Sequence, residues 1–204
     1  MKRVLLAGEG KTELGEWAKE PPFRVLPGDR GVLAALIERV DREAFTLVGG
    51  IPWKNIRKYK AGDHASAEER NVLGLVLSAR RARCDTVVFS RDQDGSVTRR
   101  EDLEKGIRRA ADDMPDITVI GGAAVENIEG WVLVILGFTD GEGIPSKRTK
   151  EELETRSGIV TLQQKVDAVD AARLHSFREG SLGVFLDRAR GAFAKVGDAP
   201  YPTR

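Results

Sequence analysis

Thr86-Val87-Val88-Phe89-Ser90-Arg91-Asp92-Gln93-Asp94-Gly95 is the stretch whose reading decides the fold. Its first five residues are largely β-branched or aromatic, the composition of a buried strand. It closes on two acids spaced one residue apart, then a glycine. Working outward, Val4-Leu5-Leu6-Ala7 is a second short apolar run, also followed by an acid, Glu9, set between Gly8 and Gly10. Thr46-Leu47-Val48, closed by Gly49-Gly50, and Ile117-Thr118-Val119-Ile120, closed by Gly121-Gly122, read as two more strands.

Helical patterns lie between these runs. In 31–44, Val32, Leu33, Leu36, Ile37 and Val40 recur at helical spacing, with Glu38, Arg39 and Arg42 on the opposite side. Ser66 with Glu69 has the spacing of a capping box and predicts a helix to about residue 83; Thr98 with Glu101 predicts another to about 113. A short helix is expected over 12–19, stopped by Pro21-Pro22, and a further one near 127–136. Beyond Pro145 no strand is predicted, only two or three helices, the last over 181–195. Strands alternating with helices imply an α/β fold: a Rossmann-like, mostly parallel sheet of about four strands with helices on both faces. Residues 1–140 would form this domain and 141–204 a helical C-terminal extension packed on it.

With 204 residues there is enough chain for one sizeable core. The 33 Lys and Arg balance 32 Asp and Glu, so bulk charge attracts no polyanion and any nucleic-acid contact must come from local clusters. A single cysteine, Cys84, and an N-terminus with too short an apolar run for a secretory leader point to a cytoplasmic protein. The longest apolar run, 131–136, falls far short of the roughly 20 residues that span a bilayer.

Right-handed crossovers put the carboxyl ends of parallel strands on one edge, where ligands of such sheets bind. If the first and third strands are neighbours, Glu9, Asp92 and Asp94 converge there. Alternation along an extended chain would send Asp92 and Asp94 to one side and Gln93 to the other. Close carboxylates repel unless a cation neutralises them, and an all-oxygen set without Cys or His favours Mg²⁺ or Mn²⁺. Such an ion keeps positions open for phosphate oxygens. Gly8 and Gly10 would let a ligand approach the backbone, and Lys11 at a helix start would pair with phosphate. Acids after strands are also ordinary turn formers, Asp94-Gly95 above all. Gly10-Lys11-Thr12 matches the end of a P-loop, but the glycine required five residues earlier is Leu5, within the strand.

Gly8-Glu9-Gly10-Lys11-Thr12-Glu13 and Ser90-Arg91-Asp92-Gln93-Asp94-Gly95 resemble the two acidic motifs of the Toprim domain, shared by topoisomerases, bacterial primases and overcoming-lysogenization-defect nucleases. The chain is most similar to a Toprim-like bacterial group catalogued as domain of unknown function 4276. That group has a Glu-Gly-x-Thr-Glu start, an Arg-Asp-x-Asp centre and a later Glu-x-Trp, here Glu129-Gly130-Trp131. The likeness spans about residues 3–136. It implies a Mg²⁺-dependent role on nucleic-acid phosphates, often in phage defence or mobile-element control. On this likeness Glu9 is a general acid/base or a metal ligand, and Asp92 and Asp94 hold the metal. Glu13 and Glu129 are further metal contacts, with Glu126 an alternative to Glu129.

Basic clusters stand at Arg57-Lys58-Tyr59-Lys60, Arg80-Arg81-Arg83 and Arg99 to Arg109. Arg57, Lys58 and Lys60, in a loop with Trp53 and Tyr59 available for stacking, are the nucleic-acid candidates, together with Arg91 beside the acids. His64 and His175 have no visible partner, and Cys84 and Trp131 read as core. The leading expectation is a metal-dependent nuclease. The alternative is a non-catalytic nucleic-acid or nucleotide-binding subunit working with a partner ATPase or defence complex.

Overall fold

A computed structural model describes residues 1–16, 30–60 and 64–194. Strands β1 (Lys2–Gly8), β2 (Phe45–Pro52), β3 (Thr86–Asp92) and β4 (Thr118–Ala124) form one sheet, order β2-β1-β3-β4, with every pairing parallel. The predicted α/β architecture is therefore present. Alternation along the central strands divides the apolar side chains between two cores. Val4, Leu6, Val88 and Ile120 enter the first; Leu5, Ala7, Val87 and Phe89 enter the second. Burial on both faces explains why β1 and β3 read as near-continuous apolar runs.

The first core is covered by α2 (Val32–Asp41), α5 (Ile128–Ile135) and the tail helices α6 (Ser146–Ser157), α7 (Leu162–Ala171) and α8 (Gly180–Phe193). The second lies under α3 (Ala67–Arg81) and α4 (Val97–Asp113). Between β1 and α2 stands a four-residue α1 (Lys11–Leu14). The β1-to-β2 connection runs one way across the sheet on the first face. The β2-to-β3 and β3-to-β4 connections run the other way on the second face, as right-handed crossovers require. The chain thus reverses direction between β1 and β3, and their carboxyl ends open a crevice.

Three boundaries differ from expectation. β2 and β4 do not stop at their glycine pairs: Gly49-Gly50 pairs with Leu5 and Leu6, and Gly121-Gly122 pairs with Phe89 and Ser90. A Cβ on Gly121 would lie 2.1 Å from the Phe89 ring, so glycine here makes room for a neighbouring aromatic side chain and does not mark a turn. Ser66 caps α3 as predicted, accepting from the Glu69 N–H at 3.1 Å. Thr98, however, does not cap α4; Ser96 does, because Asp94 and Gly95 turn at φ 48° and 71° and bring the chain into the helix two residues early. Among the described residues the tail has three α-helices, with Phe185, Leu182 and Val166 in the first core. The first helix, expected over 12–19, ends at Leu14, where Gly15 turns at φ 61°; residues 17–19 and 195 lie outside the described residues. No helix among the described residues is long and apolar enough to cross a membrane.

Candidate functional site

Glu9 follows the last residue of β1, and Asp92 is the last residue of β3. The two strands pair directly, and the Asp92 backbone N–H donates to Glu9 Oε1 at 3.3 Å. Of the three acids expected to converge, Glu9 and Asp92 are thus neighbours. The Asp92 carboxyl turns into the crevice, where its Oδ1 is buried without a hydrogen-bond partner. Burial first, then the charges of Glu13, Glu129 and Asp94, push its pKa up from 3.8 to about 7; Arg91 opposes the shift.

Glu13 is the second wall. It is buried, and its carboxylate turns back to accept from the Gly10 N–H at 2.9 Å. Burial raises its pKa, the Gly10 hydrogen bond and Lys165 pull it down, and Glu129 pushes it up. A Cβ on Gly8 would stand 2.5 Å from the Glu13 Cβ. The space that Gly8 opens is thus filled by Glu13, not left for a ligand as the sequence suggested.

Glu129 closes the crevice from the first turn of α5. It is buried, accepts from Thr12 Oγ1 at 3.2 Å, and is ion-paired with the buried Lys165 at 2.9 Å. Of the two glutamates left open by the sequence, Glu129 faces Asp92 and Glu13, while Glu126 accepts from the Ser146 hydroxyl on the rim.

Lys165 is the participant that motif reading missed, because it sits in the tail far from any strand. The signal was present: Leu162, Val166 and Val169 lie on the covered side of α7, and Lys165 falls on the same stripe. A lysine on an apolar helix face needs a buried anion, and Glu129 supplies it.

Arg91 bridges Glu9 and Glu68 (Nε to Glu68 Oε1 3.2 Å) and lies 5.9 Å above the Trp53 ring. Trp53 is itself buried, with Nε1 donating to Glu68, so neither it nor Arg91 is free to meet a base. Asp94 departs from the strand alternation: its left-handed backbone turns it outward, onto Arg99 at 2.7 Å and Ser146 at 3.2 Å. Gln93 is buried instead. Arg99 also holds the carbonyls of Asp92 and Gln93, stapling the acidic loop to the start of α4. Lys11 points to solvent beside Glu16 at 3.5 Å, and a four-residue helix offers no dipole to a phosphate. Arg57, Lys58 and Lys60 lie apart from the crevice, along the outside of α3.

No known protein family, curated protein or solved structure matches this chain. Among the described residues, no three acids stand together at metal-ligand spacing. Glu9, Asp94 and Glu129 each hold a cationic side chain: Arg91, Arg99 and Lys165. Asp92 does not, and its unpartnered oxygen among neighbouring carboxylates is the place where positive charge is missing. The donors available to it are all oxygens, which suits a hard divalent ion.

Proposed function

We propose that the crevice is a Toprim-type site for a divalent cation, Mg²⁺ or Mn²⁺, and that the protein is a metal-dependent phosphodiester hydrolase acting on nucleic acid. The observation that carries this reading is the half-buried Asp92 carboxyl at the switch point of a parallel sheet, one of whose oxygens, Oδ1, is buried and unpaired. Asp92 would hold the ion, with Glu13 and Glu9 as candidate further donors and Glu129 and Asp94 shaping the field. A bound Mg²⁺ or Mn²⁺ polarises a phosphoryl oxygen and lowers the pKa of a bound water.

The chain's own groups have definable tasks. Lys165 fixes the Glu129 carboxylate in its buried position through the ion pair. Arg91 holds Glu9 at the mouth between two strands, and Arg99 fixes the backbone of the Asp92 loop. In the metal-free protein Asp92 titrates near pH 7, so it gives up its proton to take the ion. The test is cleavage of labelled DNA and RNA with Mg²⁺ or Mn²⁺ by the wild-type protein, Glu9→Gln and Asp92→Asn. Metal-dependent cleavage lost in both variants supports the proposal; cleavage indifferent to them refutes it.

The pairing of Glu9, Asp94 and Glu129 with protein cations favours one other reading, a crevice that serves as a rigid element of a non-catalytic binding subunit, working with a partner ATPase or defence complex. Nucleic-acid binding without turnover under any divalent ion, with tight co-purification of a partner, would select it.

A further inference from the structure

The second core is bordered by a cationic groove that the crevice chemistry does not use. After β2 the chain runs beside α3, and the side chains of Arg57, Lys58, Lys60 and Arg81 line a groove of about 240 Å³ with Tyr59 and Ser78. All four cations are exposed, and among the described residues none of them makes an ion pair. Their neighbours behave differently: Arg80, one residue from Arg81, is paired with Asp116, and Arg109 with Glu69.

The groove is also built to hold its shape. The Tyr59 N–H donates to the Arg70 carbonyl at 3.0 Å, and Ile56 and Tyr59 pack into the second core. Gly74 allows the close approach of loop and helix, since a Cβ there would meet the Arg57 carbonyl oxygen at 2.2 Å. Four exposed cations along a groove with a partly buried aromatic ring, without an ion pair among the described residues, suit a repeating anion.

We infer that this groove is a track for the sugar–phosphate backbone of a nucleic acid whose scissile phosphate lies in the Asp92 crevice; the register with the crevice rests on the function proposed above. Glu68, at the start of α3, touches the crevice through Arg91, whereas Gly74 and Arg81 lie further along the same helix. At about 1.5 Å rise per residue the groove begins roughly 9 Å from Glu68 and ends roughly 20 Å from it. At about 3.4 Å per nucleotide that distance is some three to six nucleotides of one strand. The substrate is therefore a polynucleotide rather than a free nucleotide, and the groove contacts phosphates, not base edges.

The test is fluorescence anisotropy with a labelled single strand and a duplex of about 20 nucleotides, in EDTA, from roughly 50 to 200 mM salt. The triple variant Arg57→Ala/Lys58→Ala/Lys60→Ala is compared with wild type, after circular dichroism shows both folded. Each phosphate contact contributes about 0.7 to 0.9 to the slope of log K against log salt. The triple change should flatten the slope by about 2 to 3 and weaken binding at low salt by about tenfold or more. Arg81→Ala, a change on the helix side of the groove, should flatten it by about 1. An unchanged slope in both variants overturns the inference, as does a wild-type protein that binds neither strand nor duplex but binds anionic vesicles, with that binding lost in the triple variant. A parallel assay follows Mn²⁺-dependent turnover of bis(p-nitrophenyl) phosphate, which is too small to reach the groove. Turnover kept by the triple variant but lost in Asp92→Asn supports groove and crevice together. Weakened nucleic-acid binding with no turnover by wild type removes the crevice reading and leaves the groove as a binding surface.

Discussion

Replacing Asp92 with Asn should stabilise the metal-free protein, and the gain should grow with pH. The carboxyl titrates at about 7 in the fold against 3.8 when unperturbed, because burial and neighbouring acids disfavour its charge. A raised acid pKa means that the folded state holds the proton more tightly than the unfolded state. Stability contributed by that proton is present at low pH and is lost as pH rises from about 4 to about 7. Above that window the folded protein carries the full cost of a buried, unpaired charge. Each tenfold change in proton affinity is worth about 1.4 kcal/mol, so the ceiling is roughly 4 kcal/mol. Solvent at the crevice mouth and local relaxation bring the expected gain for Asp92→Asn to about 2 kcal/mol at pH 8. For a chain of this size that is a Tm increase of roughly 4 to 8 °C. Thermal or urea denaturation of both proteins in EDTA, at several pH values from about 4 to 8, reads the effect. Curves that converge near pH 4 and separate by pH 8 are expected. A variant less stable than wild type throughout, or offset equally at every pH, would show that Asp92 is not held under electrostatic stress.

Lys165→Met should cost about 3 to 5 kcal/mol by leaving Glu129 buried and unpaired, and adding Glu129→Gln should restore most of it; a double-mutant cycle in urea measures the coupling. Ser96→Ala should destabilise α4 by about 1 kcal/mol through loss of its cap, whereas Thr98→Ala should change stability by less than about half of that. Equal effects would contradict the observed start of the helix.

The sheet was legible because its central strands are buried on both faces, and Val4-Leu5-Leu6-Ala7 and Thr86-Val87-Val88-Phe89 therefore carry unbroken apolar runs. That Glu9 and Asp92 share one edge followed from the alternation of strands and helices, whereas the neighbouring of their strands was a condition the sequence left open and the order β2-β1-β3-β4 meets. Glycine was the main source of error. Gly49-Gly50 and Gly121-Gly122 look like strand ends, yet they continue the pairing, and only the three-dimensional contact with Phe89 explains Gly121. Asp94 was misplaced because strand alternation was carried one step past the point where its backbone turns left-handed. Trp53 was read as a free platform because nothing local shows that Glu68 and Arg91 enclose it. Lys165 reaches the site through packing of the tail on the first core, a long-range contact with no local motif.

The most direct measurement is titration of the metal-free protein with Mn²⁺, followed by electron paramagnetic resonance or calorimetry, for wild type and Asp92→Asn across pH 6 to 8. Saturable binding by wild type that strengthens as pH rises through about 7, where Asp92 gives up its proton, and that disappears in Asp92→Asn is the expected result. Absence of saturable binding, or binding that the substitution leaves intact, would contradict a cation site built on Asp92.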